Sequence, residues 1–159
     1  MKKLSLLLFI LGLAVLSVSC SGGGSPTMFS PPTVKAAAFS NASLSGGYSF
    51  ADSGETLGAA SIKFAEVGVI TFDGAGGFKG SATMNDNGTI CTATVTGTYS
   101  INPDGSGSAT VTQTPAASTA RGCTTITFQV ALALSGGGAQ VQFVETSGTE
   151  IASGLALKQ

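Results

Sequence analysis

The chain contains no histidine, no tryptophan and a single arginine. Without histidine there is no general base for a Ser/His/Asp or Cys/His nucleophilic unit and no imidazole to ligate a metal. Charged residues make up only 9% of the sequence, far below the roughly 25% usual in soluble domains. With one arginine and no basic run, the positive surface that nucleic acid requires is missing. No Gly-x-x-x-x-Gly-Lys-Ser/Thr string occurs, so the glycine-rich segments are not phosphate loops. Asp73, Asp86 and Asp104 stand in glycine-rich turns, but without the spacing of acidic ligands that a calcium loop needs. They read as turn formers, and neither a metal nor a cofactor is expected.

Long apolar runs are absent except at the start. Lys2 and Lys3 precede an apolar stretch from Leu4 to Val15, followed by Leu16-Ser17-Val18-Ser19-Cys20. The stretch is shorter than the roughly 20 residues a spanning helix needs. A positive head, a short apolar middle and small residues before a cleavage point form a secretory signal. The segment ending at Cys20 resembles the lipidation box of bacterial lipoproteins, with Ser17 where those most often carry Leu. The resemblance implies removal of residues 1–19, acylation of Cys20 and membrane attachment. Ser21 in place of Asp further implies sorting to the outer membrane, on its periplasmic or exposed side. An ordinary secretory signal cleaved nearby is the plainer alternative. Residues 20–45, with Gly22-Gly23-Gly24 and Pro31-Pro32, read as a tether, which leaves 46–159 as one folded domain.

In that domain, strand-like runs rich in Thr, Val and Ile alternate with Gly/Asn/Asp turns. Eight runs are expected, over 47–52, 60–72, 77–85, 89–101, 106–113, 123–134, 139–146 and 150–157. Most links are short, which favours an antiparallel meander. Closing it into a barrel removes exposed edges, and a β-sandwich is the alternative. The period-two alternation assigns Ile62, Phe64, Ile70, Phe72, Phe78, Ala82, Met84, Ala93, Val95, Tyr99, Ile101 and the even-numbered apolar residues of 126–134 to the inner face. Val141 and Phe143, then Ile151, Leu155 and Leu157, are expected to complete it. At least four inward phenylalanines favour a filled interior.

The Gly47–Phe50 start, Ile70-Thr71-Phe72-Asp73-Gly74 and the segment Gly97–Gly107 resemble uncharacterised secreted bacterial β-proteins. Their barrels are similar to the calycin group, which includes the lipocalins and the allene-oxide-cyclase-like barrels. The lipocalin Gly-x-Trp start is not met, since Tyr48 stands near that position. An eight-stranded barrel has an interior wide enough for side chains or one small ligand, and no functional residue is carried over from the resemblance.

Two cysteines remain after Cys20. In an exported protein Cys91 and Cys123 are expected to pair. They begin strands that are not neighbours in the meander. Either the 114–122 loop folds across the barrel mouth, or the strand order differs.

Parity places Glu66 with Phe64 and Ile70, and Glu145 with Val141 and Phe143. A carboxylate inside a barrel is costly unless paired or protonated, so Glu66 and Glu145, with Tyr99, are the candidate ligand-binding residues. The plainer alternatives are a β-bulge at Val67-Gly68 that turns Glu66 outward and a strand-end position from which Glu145 reaches water. The function expected is a non-enzymatic module of the cell envelope, binding a small apolar ligand or an envelope protein. The alternative is a cofactor-free cyclase- or isomerase-like barrel using inward carboxylates.

Overall fold

The computed structural model describes residues 38–58, 61–116, 123–148 and 150–159. Cys20 and the rest of the signal and tether up to residue 37 lie outside them. Eight strands form the fold: β1 (Ser45–Thr56), β2 (Ile62–Asp73), β3 (Gly77–Asp86), β4 (Thr89–Ile101), β5 (Ser106–Pro115), β6 (Ile126–Ser135), β7 (Gln140–Glu145) and β8 (Glu150–Lys158). Each pairs antiparallel with the next, and β8 returns to β1 from Tyr48↔Lys158 to Thr56↔Glu150. The meander is therefore a closed barrel, and the sandwich is ruled out.

The turns follow their sequence signals. Asp73 Oδ1 accepts the backbone N–H groups of Ala75, Gly76 and Gly77, and Asn85 Oδ1 accepts that of Gly88. Side chains of this kind mimic a backbone turn and release the strand into the next. Three backbone hydrogen bonds hold the Asp73 carboxyl below its usual range.

One end of the barrel is plugged, and the plug comes from residues expected to be tether. A short 3-10 turn, Asn41–Ser43, lies across this end. Asn41 Oδ1 accepts the N–H of Ile101 at 2.8 Å, and Phe39 N–H donates to the Pro103 carbonyl. Leu44 and Tyr48 are fully buried below the turn. The Tyr48 hydroxyl donates to the Gly138 carbonyl at 2.6 Å. A side chain at Gly138, where φ is +95°, would run into the Ser43 carbonyl. The folded domain thus starts no later than Ala38, not at 46. The reason is that Leu44 and Phe39 supply apolar surface that closes the core.

Beneath the plug, Phe72 packs edge-on against both Tyr48 and Tyr99, with ring centroids 5.1 Å apart in each case. Further down, phenylalanines lie over glycines on the neighbouring strand: Phe50 on Gly68, Phe64 on Gly54, Phe78 on Gly97 and Phe143 on Gly154. A glycine on a strand normally weakens it. Here the missing side chain is the seat of a ring. A Cβ on Gly68 would collide with both the Phe50 ring and the Ser81 carbonyl. Backbone cannot yield as a flexible side chain does, so Gly68→Ala is expected to lose about 1–3 kcal/mol, read by urea denaturation. An unchanged midpoint would show that the Phe50 ring and its neighbours move aside freely.

The inner face of β8 is a correction. Ala152, Gly154 and Ala156 point inward, while Ile151 and Leu157 are 63% and 46% exposed. The interior opposite β8 is already occupied by Phe50 and Phe143, so only small residues fit there.

Candidate functional site

The barrel's other end collects the β1–β2, β3–β4, β5–β6 and β7–β8 connections. The disulfide is here. The last pair joining β5 to β6 is Gln113↔Ile126, and β5 meets β4 only from Pro115↔Ala93 upward. The first residues of β4 therefore overhang the end of β5. Residues leading into β6 cross to that overhang, and Cys91 and Cys123 are bonded with Cα atoms 5.8 Å apart. The strand order is the meander. Two non-neighbouring strands are joined because the strand between them stops short, while residues 117–122 of the crossing loop lie outside the described residues.

Above the disulfide opens a cavity of about 220 Å³, and a second of about 70 Å³ lies deeper in the barrel. Both touch Asp52, Glu66 and Gln113. An apolar cavity of roughly 150 Å³ accommodates a benzene-sized molecule, and one water takes about 30 Å³. The outer cavity therefore has room for a small molecule, and the deeper one for little more than two waters. The interior is thus not fully filled: phenylalanines seated on glycines, Phe64 and Phe143 among them, leave room between the rings and the carboxylates.

Five carboxylates line the outer cavity: Asp52, Glu66, Asp86, Glu145 and Glu150. Each comes from a different strand. Asp52 and Glu66 are direct partners across β1 and β2, and Glu66 faces Met84 across β2 and β3. The register is unbroken through Val67 and Gly68, so no bulge turns Glu66 outward. Glu66 is only 4% exposed, and both its oxygens accept from Gln113 Nε2, at 2.9 and 3.0 Å. Burial raises its pKa, and the Gln113 amide partly opposes that. Asp52 is pushed up to about 7, first by burial and then by the charges of Glu66, Glu145 and Glu150. Glu150 also rises to about 7, through burial, the charge of Glu145 and a hydrogen bond with that carboxyl. Among the described residues, no basic side chain lines this cavity, and Asp52 Oδ1, Asp86 Oδ1 and Glu145 Oε1 are buried with no hydrogen-bond partner.

The two glutamates expected to point inward do so, and the structure brings them into one cavity. Tyr99 belongs elsewhere. Its hydroxyl donates to the carbonyls of Leu44 and Asn41 at the plugged end, so it fastens the plug, away from this cavity. Asp86 is also corrected. It does not build its turn, which Asn85 caps, but faces the cavity from the end of β3. Asp52, Glu150 and Gln113 complete the site unannounced. Asp52 shares the parity of Tyr48 and Phe50, and Gln113 that of Val111 and Ala109, so both were within reach of the same alternation rule.

The described residues contain no helix long and apolar enough to cross a membrane. No group of three or more Asp, Glu or Cys among them is placed to hold a metal ion. Compared with known proteins, the chain matches no family model, no curated protein and no solved structure.

Proposed function

We propose that this protein is an exported, lipid-anchored module of the cell envelope that binds a small ligand in the open end of its barrel. The observation that carries the reading is the 220 Å³ cavity lined by the disulfide and by carboxylates from five strands. A purely structural barrel gains nothing from such a wall. Buried carboxylates destabilise a fold unless something compensates them, and binding sites are where such groups collect. The chain enters the barrel at its plugged end, opposite the cavity. Anchoring through Cys20 and placement at the outer membrane rest on the signal-like segment, and the disulfide suits an oxidising compartment.

Native mass spectrometry of the full mature chain, purified from its own host in detergent, tests the reading. The expected mass is that of a chain starting at Cys20 with acyl groups, two protons short for the disulfide, and carrying a small molecule that denaturation releases. An empty barrel would move the role to the outer surface, where Val67, Val69 and Leu157 are exposed. A single unacylated species starting elsewhere would remove the anchor.

A second reading has its own support. Asp52 and Glu150, both poised near pH 7, suit general acid–base work at neutral pH. Under that reading the bound molecule is converted on standing, and Asp52→Asn stops the conversion.

A further inference from the structure

We propose that the ligand is a small organic cation, an alkylammonium whose charged head sits among the carboxylates while its short apolar tail points toward Phe128 and Phe143. This rests on the ligand-binding reading and adds the chemical class to it. Three observations converge on that class. The first is charge. Five carboxylates face one cavity, and the described residues place no cation in it. An anionic ligand would be repelled, and a neutral one would leave the acids uncompensated.

The second observation is the set of stranded acceptors. Asp52 Oδ1, Asp86 Oδ1 and Glu145 Oε1 are shut off from solvent and accept no hydrogen bond. A buried acceptor without a donor is rare in a folded protein. These three oxygens come from β1, β3 and β7, and all three residues line the same cavity. Glu66 and Gln113, both more than nine-tenths buried and hydrogen-bonded to each other, line it as well. An ammonium group supplies N–H donors and positive charge together.

The third is the spacing and the company of the acids. Calcium takes six to eight oxygens within about 2.6 Å, and among the described residues no group of these carboxylates is placed to hold a metal ion. A diffuse organic cation fits a spread ring of charge. Phe64, Phe128 and Phe143 also line the cavity, and aromatic faces attract cations within about 6 Å of the ring.

The experiment is isothermal titration of the full mature protein at pH 8 with hexylammonium, hexan-1-ol and hexanoate, which share one tail and differ in the head. Hexylammonium is expected to bind at least tenfold tighter than hexan-1-ol, and hexanoate not to bind. At pH 5, where Asp52 and Glu150 hold their protons, the ammonium affinity is expected to fall about tenfold. Glu145→Gln/Glu150→Gln should produce a similar loss. That variant sheds repulsion, so it is expected to fold, and a cooperative melt confirms that it does. Equal binding of hexylammonium and hexan-1-ol overturns the cation and leaves the pocket standing, as does a co-purified ligand that is neutral or anionic. Binding of none of the three, with no co-purified molecule, overturns the pocket as well. Arg121 lies in the loop segment outside the described residues, two positions before Cys123. Selective ammonium binding that appears only in Arg121→Ala would overturn the proposal, since the chain's own guanidinium would then be the occupant.

Discussion

Replacing both Cys91 and Cys123 by alanine is expected to cost about 3–4 kcal/mol, by the chain-entropy estimate for a loop of this length. The two residues are 32 apart in sequence, so the bond removes a large share of the unfolded chain's freedom. Its position adds a local effect. It ties the overhanging start of β4 to the residues that enter β6, which have left their pairing with β5 by then. No strand-to-strand register takes over that junction when the bond is cut. Chemical denaturation of the double variant against the oxidised parent reads the loss, and reductant should reproduce it in the parent. A loss below about 1 kcal/mol would mean that the crossing segment is held by other contacts. The open end should suffer more than the plugged end. Amide exchange in the first residues of β4 is therefore expected to speed up well before exchange at Tyr48 or Leu44, which are fully buried.

The second large effect is with pH. Asp52 and Glu150 have ordinary values of 3.8 and 4.5, and both are raised to about 7 in the fold. In the unfolded chain these acids lose their protons near pH 4, whereas in the folded protein they keep them until about pH 7. Between those limits the folded state binds more protons, so stability falls as pH rises. Their contribution is fully present below about pH 4, declines through the interval and is flat above about pH 7. The expected loss from pH 4 to pH 8 is on the order of 2–4 kcal/mol, discounted because Glu150 is partly solvated. This is opposite in sign to the usual case of carboxylates held in ion pairs. Urea denaturation across that range measures it. Asp52→Asn should flatten the slope and raise stability at pH 8, because an amide removes one charge from a crowded wall. Stability that instead rises from pH 4 to pH 8 would show that the acids are paired or hydrated in the folded protein.

These two effects bear on each other. The disulfide clamps the end of the barrel where the acids gather, so it holds like charges together against their repulsion. Reduction should steepen the fall in stability above pH 7. A cation in the cavity should act in the opposite direction, by neutralising the wall.

How much of this was legible in the sequence depended on which face of a strand was decided locally. The eight strands were readable because the turns carry their own chemistry: Asp73 and Asn85 bond the turn backbone with their side chains wherever the strands end up. The inward phenylalanines and Glu66 followed from alternation, which a strand obeys without reference to its neighbours. Asp52 and Asp86 followed from the same rule, once β1 and β3 are carried to their full length. A run bounded at 52 makes Asp52 a strand terminus. The turn role given to Asp86 hid the side of β3 on which it lies.

What failed locally was β8. Ile151, Leu155 and Leu157 are the larger apolar residues, and a rule that sends large apolar residues inward chose the wrong parity. With them went Glu150, whose inward partners are Ala152, Gly154 and Ala156. Only the closed barrel settles that choice, because the space beside β8 is already taken by rings from β1 and β7. The plug was hidden for a similar reason. Asn41, Ser43 and Leu44 carry no periodicity, and their role exists only where the strand ends converge to receive them. By itself the sequence determined the strands, their order and the apolar side of most of them, since these depend on contacts within a few residues. The tertiary structure decided which carboxylates meet, which end is closed and how two unpaired strands come to share a disulfide, because each of these depends on distances around the circumference of the barrel.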